Sequence, residues 1–463
     1  MQEVAYQTQL EGRRAAVHRR LAELLSRGLD IETVECDRAV RIAHHWERAG
    51  EPARAGHWNV QAGRGLGAND LHVSRDQFRA AIANLDAAED SPEVLRGRIR
   101  ARAGLIRSAQ FVDVPAEEID RCFAEAEARA EALGDAPTRA ELYISAAIEL
   151  LHRGQADRAA QLSARATELC VQSGAGELVN RFRVAILNTH NAAGMPRAGI
   201  DIANRGAGTA WLERPIDEDN FMSRGFYGGM LMWLGDLEAA RRHLVEALAY
   251  AQKEDRASSW MHAFKVDLAW FAGEYDEVLS DGRRGLERAE THGSAFFQAV
   301  AARGLGLAHV IRGEFAQARD LLSRFEHRVR EGEFAYQIEA NYLAVQAEAL
   351  AGLGDFAGAA RLADAGIDSG RRCGTRVWEL RAWITRLSLP AEVLTEQRLG
   401  SGIARMQELI AQSGADGFTP WIAEIRARRC NGRERTRWLE QARVGFERIG
   451  ARGHAQRLAG ALA

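Results

Sequence analysis

One short phrase recurs along this chain, and its spacing limits the folds that the sequence can adopt. The phrase begins with Gly, usually continues with an acidic or polar residue, and in most copies has a small residue five positions after the Gly. It begins at Gly50, Gly154, Gly194, Gly235, Gly273, Gly313 and Gly354. From Gly154 onward the intervals are 40, 41, 38, 40 and 41 residues. Such regularity is typical of tandem structural repeats.

Each phrase is predicted to be the tight turn of a helical hairpin. Gly supplies the backbone conformation that ends one helix, and the acidic residue after it favours the first turn of the next helix. Small residues stand seven positions before the turn at Ala43, Ala147, Gly228, Gly306 and Ala347. Others stand five positions after it at Ala55, Ala159, Gly199, Ala240, Ala318 and Ala359. We therefore expect the two helices to approach closely at these matched places.

The composition favours helices packed on helices. Apolar residues make up 46% of the chain and aromatic residues 7%, so the core must consist largely of small side chains. A β-sandwich would need more β-branched and aromatic residues. The sequence therefore predicts an all-α fold, a right-handed superhelical solenoid of tandem helical hairpins with a period of about 40 residues.

The regularity of the phrase divides the chain into three predicted segments. Residues 1–70 form an amino-terminal helical segment, residues 71–374 form the regular repeats, and residues 375–463 form degenerate repeats and a capping helix. Nine or ten helix pairs are expected, with the last helix near Thr436 to Ile449. Capping boxes are predicted to start helices at Ser74 and at Thr138.

Charge and cysteine content narrow the environment and the partners. The net charge of −3 gives no basic field for nucleic acid, and no apolar run is long enough to cross a membrane. The five cysteines lie far apart without a C-x-x-C pair, which is typical of thiols in a reducing compartment. We expect a cytoplasmic protein without direct nucleic-acid or membrane contact.

Several segments carry a resemblance to a known family. They are VAYQTQLEGRRAAVHRRLAELL and IAHHWERAGEPARAGHWNVQAG near the start, GSAFFQAVAARGLGLAHVIRGEFAQA and GTRVWELRAWITRL in the middle, and FERIGARGHAQRLAGALA at the end. Together they resemble the carboxy-terminal tetratricopeptide-like repeat region of class III adenylate/guanylate cyclase-associated AAA/STAND ATPases. They are also similar to the repeat region of LuxR-type ATP-dependent regulators.

This resemblance implies a function in signal transduction. The chain would be a non-catalytic protein-interaction or sensor module of a bacterial-type signal-transduction ATPase with cyclase output. Residues 1–70 would adjoin the ATPase module, in cis or in trans. The alternative is the effector-sensing part of a LuxR-type transcriptional regulator, and a third hypothesis is an enzyme hidden in a helical array.

Patterns that imitate catalytic or metal sites have simpler explanations. A P-loop needs Gly-Lys, whereas Lys253 follows Gln252 and Lys265 follows Phe264. Adjacent His44 and His45 would point about 100° apart on a helix and could not share a metal. We therefore expect no catalytic residue, metal ligand or cofactor.

Two further patterns are predicted to be structural. Residues 63–67, with the pattern G-x-G-x-G, are expected to form an inter-helix turn rather than a phosphate loop. An arginine cluster is expected to be a surface paired with carboxylates, with docking of an acidic partner as the alternative. Its members are Arg426, Arg428, Arg429, Arg433, Arg435 and Arg437.

The binding residues are expected on the concave face, which the first helix of each pair lines in tetratricopeptide-like arrays. The candidates chosen by their offset from the turn Gly are Trp233, Trp260, Asp267, Trp270, Arg303, Asn341 and Glu348. Exposed tryptophans beside charges are typical of binding hot spots. The alternative is that Trp260 and Trp270 fill space between helices. The expected partner is a protein or peptide, with a small-molecule effector as the other option.

Overall fold

Helices account for all the regular structure in the described part of the chain. The computed structural model describes residues 11–29, 35–66, 70–109, 114–205, 208–254, 258–292, 295–330 and 336–462. Within these ranges it contains 23 α-helices and no strand. Successive helices pair through short turns, which confirms the predicted all-α fold of tandem helical hairpins.

The chain divides into two units, residues 1–149 with 165–175 and residues 150–164 with 176–463. The first unit contains α1 (Glu11–Ser26), α2 (Cys36–Arg48), α3 (Pro52–Leu66), α4 (Leu71–Asp86), α5 (Pro92–Ser108) and α6 (Ala116–Leu133). Two helices supply residues to both units, α7 (Ala136–His152) and α8 (Ala156–Gln172).

The second unit holds the remaining helices. They are α9 (Glu177–Ala192), α10 (Pro196–Ala203), α11 (Phe221–Leu234), α12 (Leu237–Lys253), α13 (Ser259–Ala272), α14 (Val278–His292), α15 (Ala295–Ile311) and α16 (Phe315–Arg330). They continue as α17 (Tyr336–Gly352), α18 (Phe356–Cys373), α19 (Arg376–Ser388), α20 (Glu396–Ser413), α21 (Thr419–Ala427), α22 (Gly432–Arg448) and α23 (Arg452–Leu462). The predicted last helix corresponds to α22, and α23 is one helix more than expected.

The turn phrases form the predicted turns. All seven of their glycines have positive φ, between 63° and 89°. The acidic residue that follows caps the next helix in two copies. Asp236 Oδ1 accepts a hydrogen bond from the Ala239 amide at 3.0 Å, and Asp355 Oδ1 accepts one from the Gly358 amide at 2.8 Å.

Small residues bring the paired helices together as predicted. A Cβ on Gly228 would lie 2.9 Å from Leu244 Cγ and 3.1 Å from the carbonyl oxygen of Ala240. Ala240 itself is fully buried. A side chain at position 228 would therefore push α11 and α12 apart.

Two local predictions in the first half of the chain were wrong. Residues 63–66 belong to α3 rather than to a turn, because Gly63 and Gly65 make room for Phe78 and Cys36; Gly67 lies outside the described residues. The capping boxes fail because an Asp three or four residues upstream takes the cap. Asp70 Oδ1 accepts from Val73, and Asp135 Oδ1 accepts from the amide of Thr138.

Of the histidine pair, one residue is packed and one is solvated, as predicted, whereas in the described part of the chain a carboxylate partner is found for one member of the arginine cluster. His44 is exposed, whereas His45 is half-buried and lies 2.8 Å from His18 between their Nδ1 atoms. In the arginine cluster, Arg428 pairs with Glu424, Arg426 lies over Trp438 and Arg429 donates to the Leu389 carbonyl. The other three members, Arg433, Arg435 and Arg437, are exposed.

Within the second unit, turns of early repeats contact turns of late repeats. The Arg376 guanidinium pairs with Asp157, and its amide donates to the Ala193 carbonyl at 3.4 Å. A Cβ on Gly417 would lie 2.7 Å from the Trp233 carbonyl oxygen. His454 Nε2 lies 2.8 Å from the Trp270 carbonyl oxygen. These contacts place α19, the segment before α21, and α23 against turns of the earlier repeats.

No described helix combines the length and the apolar character that a membrane crossing requires.

Candidate binding pocket

Three of the seven predicted groove residues belong to the core. Trp233, Trp260 and Asn341 are 0%, 7% and 2% exposed. The Trp233 ring meets the edge of Trp378 from α19 with centroids 5.1 Å apart, and Trp260 stacks on Phe226 at 4.3 Å. These residues therefore offer almost no surface to a ligand, because later repeats and neighbouring helices cover them. For Trp260 the structure supports the alternative that it fills space between helices.

Two more predicted residues neutralise each other. Asp267 on α13 and Arg303 on α15 form a bidentate ion pair whose second hydrogen bond joins Nη2 to Oδ2 at 3.0 Å. Both side chains are more than nine-tenths buried. The pair joins the first helices of neighbouring hairpins and leaves neither charge open to a partner.

The last two predicted residues, Trp270 and Glu348, lie at the edge of the core. Trp270 is half-buried and stacks on Trp421 of α21, with centroids 4.8 Å apart. Glu348 accepts hydrogen bonds from Arg381 Nη2 at 2.7 Å and from Thr385 Oγ1 at 2.9 Å. The Arg381 guanidinium also lies 4.0 Å from the centroid of the Trp270 ring. Trp270 and Glu348 are thus connected through Arg381.

A cavity of about 300 Å³ lies between these two residues. Its walls are Trp270, Tyr275, Val310, Ile311, Phe315, Glu348, Ala351, Gly352, Thr385, Ser388 and Leu389. The carboxyl ends of α13, α15, α17 and α19 contribute most of these residues, so it opens among the first helices of four hairpins. Most of the walls are apolar, which is typical of small ligand sites.

Tyr275 and Phe315 were missed by reasoning from the sequence. Each stands two positions after a turn glycine, Gly273 or Gly313, in the copies GEY and GEF. An aromatic residue at this position of the phrase was the available signal. Gly352 leaves the space that the Phe315 ring occupies, since a Cβ there would lie 2.3 Å from it.

The polar groups of the cavity are neutral or neutralised. Burial raises the pKa of Tyr275, and Arg457 acts against that increase, so the phenol keeps its proton at neutral pH. The Arg381 guanidinium balances the Glu348 carboxylate. The Trp270 indole, the Tyr275 hydroxyl and the Ser388 hydroxyl make no hydrogen bond to other described residues. The cavity can therefore hold an apolar group and offer hydrogen bonds at its rim.

Comparison with known proteins gives no family. No family model matches the chain, and no curated protein matches it in sequence. A Rap protein complexed with Competence and Sporulation Factor aligns at 12% identity over 83% of this chain and 99% of its own, with a TM-score of 0.44. A Rap conjugation gene regulator in complex with the Phr* peptide aligns at 14% identity over 89% and 97%, with a TM-score of 0.42. A STAND protein with a tetratricopeptide repeat sensor from Pyrococcus horikoshii aligns at 11% identity over 93% and 75%, with a TM-score of 0.31.

Proposed function

We propose that this chain is a non-catalytic binding module that takes one large apolar side chain of a protein or peptide partner into the cavity beside Trp270 and Glu348. The observation that carries the proposal is the cavity itself. Its volume of about 300 Å³ is at the lower end of the range for ligand pockets. A single aromatic or aliphatic side chain fits such a volume, whereas a drug-sized ligand would need more.

The rim of the cavity suits a peptide backbone. The Tyr275 and Ser388 hydroxyls and the Trp270 indole can bond to main-chain groups that enter with the side chain. Trp and Tyr at the edge of an apolar pocket are typical of residues that dominate binding energy. A free small molecule of similar size is the competing occupant, and it fits the sensor function as well.

The resemblance of the sequence extends this proposal to signalling. Binding would be relayed to an ATPase module with cyclase output, with the effector-sensing part of a LuxR-type regulator as the alternative, and both assignments place the chain in the cytoplasm. A ligand shifts a conformational equilibrium only by its different affinity for the two states. The contacts of α21 and α23 with α13 border the cavity and would change if the repeats moved. The two conformations would therefore bind a ligand with different affinities.

A peptide-display selection on the intact chain tests the proposal. We expect the enriched peptides to share one large apolar residue. The variant Ala351→Phe fills the cavity and should weaken their binding by about tenfold or more, equivalent to about 1.4 kcal/mol. Ala404→Phe, an exposed position on α20, is the matched control.

Three results would count against this function. They are the absence of enriched peptides, enrichment without an apolar residue, and equal binding by the Ala351→Phe variant. If indole, used as a free aromatic probe, binds and Ala351→Phe abolishes that binding while no peptide is enriched, the small-molecule alternative replaces the peptide one.

A further inference from the structure

In the described part of the chain, two buried arginines of the second unit lack the carboxylate partners that the other buried arginines have. Among the described residues the buried arginines are Arg98, Arg102, Arg183, Arg224, Arg303, Arg381 and Arg386. Five of them form ion pairs with carboxylates. Arg183 and Arg224 do not, although they are 4% and 5% exposed. A buried charge without an opposite charge is strongly unfavourable, so Arg183 and Arg224 each lower the stability of the fold unless an anion binds them.

Arg183, on α9, has only neutral neighbours as hydrogen-bond partners. Its guanidinium donates to the side chain of Asn180 and, at 3.4 Å, to the Ala203 carbonyl. It lies over the Trp211 ring, 4.5 Å from the centroid. Burial, and then the charge of Arg214, lower the pKa of Arg183 to about 10, so it remains protonated at neutral pH.

Arg224, on α11, is similarly placed. Its Nη1 donates to His243 Nδ1 at 2.9 Å and its Nη2 donates to the Arg214 carbonyl at 3.1 Å, while its buried Nε has no partner. Burial and then the charges of Arg224 and Arg242 lower the pKa of His243 to about 4, so His243 brings no compensating or additional charge at neutral pH.

The two guanidiniums contact different residues of one short segment, residues 211–214. Arg183 contacts the Trp211 ring, and Arg224 donates to the Arg214 carbonyl oxygen. Burial and then the charge of Arg214 lower the pKa of Arg183. Trp211 packs edge-to-face on Tyr227, with ring centroids 5.6 Å apart. Tyr227 lies on α11, the helix that also carries Arg224. The Arg214 side chain is 60% exposed and marks the side open to solvent.

We propose that Arg183 and Arg224 form a binding site for an oxyanion, carried by a phosphate or a carboxylate ligand that approaches beside Arg214. A guanidinium presents parallel N–H donors that match both groups. The anion supplies the negative charge that carboxylates supply to the other five buried arginines. This site stands apart from the cavity at Trp270 and does not depend on the function proposed for that cavity.

The acidic residues nearby do not already fill this role. Asp217 is occupied by Arg214 at 2.9 Å and by the amides of Asp219 and Asn220. Burial lowers the pKa of Arg224, and the charge of Glu246 on α12 acts against that decrease, but Glu246 makes no hydrogen bond to Arg224 and is exposed. An anion that binds the two guanidiniums would therefore displace no ion pair.

The test is thermal denaturation of the full chain in sodium phosphate, sodium acetate and sodium chloride at equal ionic strength. We expect phosphate or acetate to raise the wild-type Tm by about 5 °C in a saturable way. Arg183→Gln and Arg224→Gln should lose this saturable rise. Arg181→Gln, an exposed change on the same helix, should keep it.

The two anions separate the possible sources of the ligand. A rise with phosphate alone identifies a phosphate ligand, and a rise with acetate identifies a carboxylate. The proposal is overturned if neither anion raises the wild-type Tm above its value in chloride, or if Arg183→Gln and Arg224→Gln respond as the wild type does. Circular dichroism without anions checks that each variant is folded, and either of the two arginine variants alone suffices for the comparison.

Discussion

Trp270 of α13 stacks face to face on Trp421 of α21, with ring centroids 4.8 Å apart and ring planes inclined by 9°. The two residues belong to repeats that are far apart in the sequence. Because Trp270 is a wall of the candidate cavity, the late repeats help to hold that cavity in shape. The shape of the cavity is therefore a property of several repeats of the second unit rather than of one hairpin.

Removing this stack should destabilise the second unit. Trp421 is 6% exposed and also contacts Phe271 and Phe446, so Trp421→Ala should lower the free energy of unfolding by about 3–5 kcal/mol. Urea denaturation followed by circular dichroism measures the change. Trp438→Ala is the matched control, since Trp438 is only half-buried. Equal losses in the two variants would show that the stack contributes nothing beyond ordinary surface packing.

The effects on stability of replacing Glu348 and its ion-pair partner Arg381 should depend on each other. Arg381 is buried, so Glu348→Gln leaves its charge uncompensated and should cost about 3 kcal/mol of stability. The double variant Glu348→Gln with Arg381→Met should be more stable than Glu348→Gln alone, because no buried charge is then left unpaired. Denaturant titration of both variants gives the comparison. A double variant that is no more stable than Glu348→Gln would contradict the coupling.

The close approach of α11 and α12 gives a packing prediction. Ala240→Phe inserts a ring where a Gly228 Cβ would already lie 3.1 Å from the Ala240 carbonyl, and should destabilise the chain by about 1–3 kcal/mol. The exposed Ala404→Phe change is the control for the added apolar surface. An unchanged melting temperature for Ala240→Phe would refute this interface.

Buried His190 should make stability depend on pH. Burial lowers its pKa from 6.5 to about 4, so the unfolded chain binds this proton more readily. Its contribution is fully present above about pH 6.5 and is lost as the pH falls toward 4, by up to about 3 kcal/mol. His190→Asn should flatten the stability curve in that window, whereas the same change at exposed His72 should not. If the curves of unfolding free energy against pH are parallel for the wild type and His190→Asn, His190 does not cause the pH dependence.

Local features of the fold were predictable from the sequence because they depend on neighbouring residues. The turn at Gly235 and the close contact of Gly228 with Ala240 follow from backbone conformation and side-chain size within one hairpin. The failed capping box at Thr138 shows the limit of the same logic. Asp135, three residues earlier, is the better cap, and only the backbone geometry decides between two acceptable residues.

The candidate site was predictable only in part. The offset from the turn selected Trp270 and Glu348, which line one cavity, but it also selected Trp233, which is fully buried. The difference arises because Trp378 of α19 packs on Trp233 of α11, and these two helices are far apart in the sequence. No pattern within a single repeat encodes a contact between distant repeats.

The most direct test of the account is the location of binding on the chain. Fluorine NMR of the protein labelled with 5-fluorotryptophan, with Trp270 assigned through Trp270→Phe, can follow the addition of a selected peptide. We expect the Trp270 resonance of the wild type to shift in proportion to the bound fraction. In Ala351→Phe, addition of the peptide should leave the Trp270 resonance unchanged. A peptide that binds while the Trp270 resonance stays in place would show that the cavity beside Trp270 and Glu348 is not the binding site.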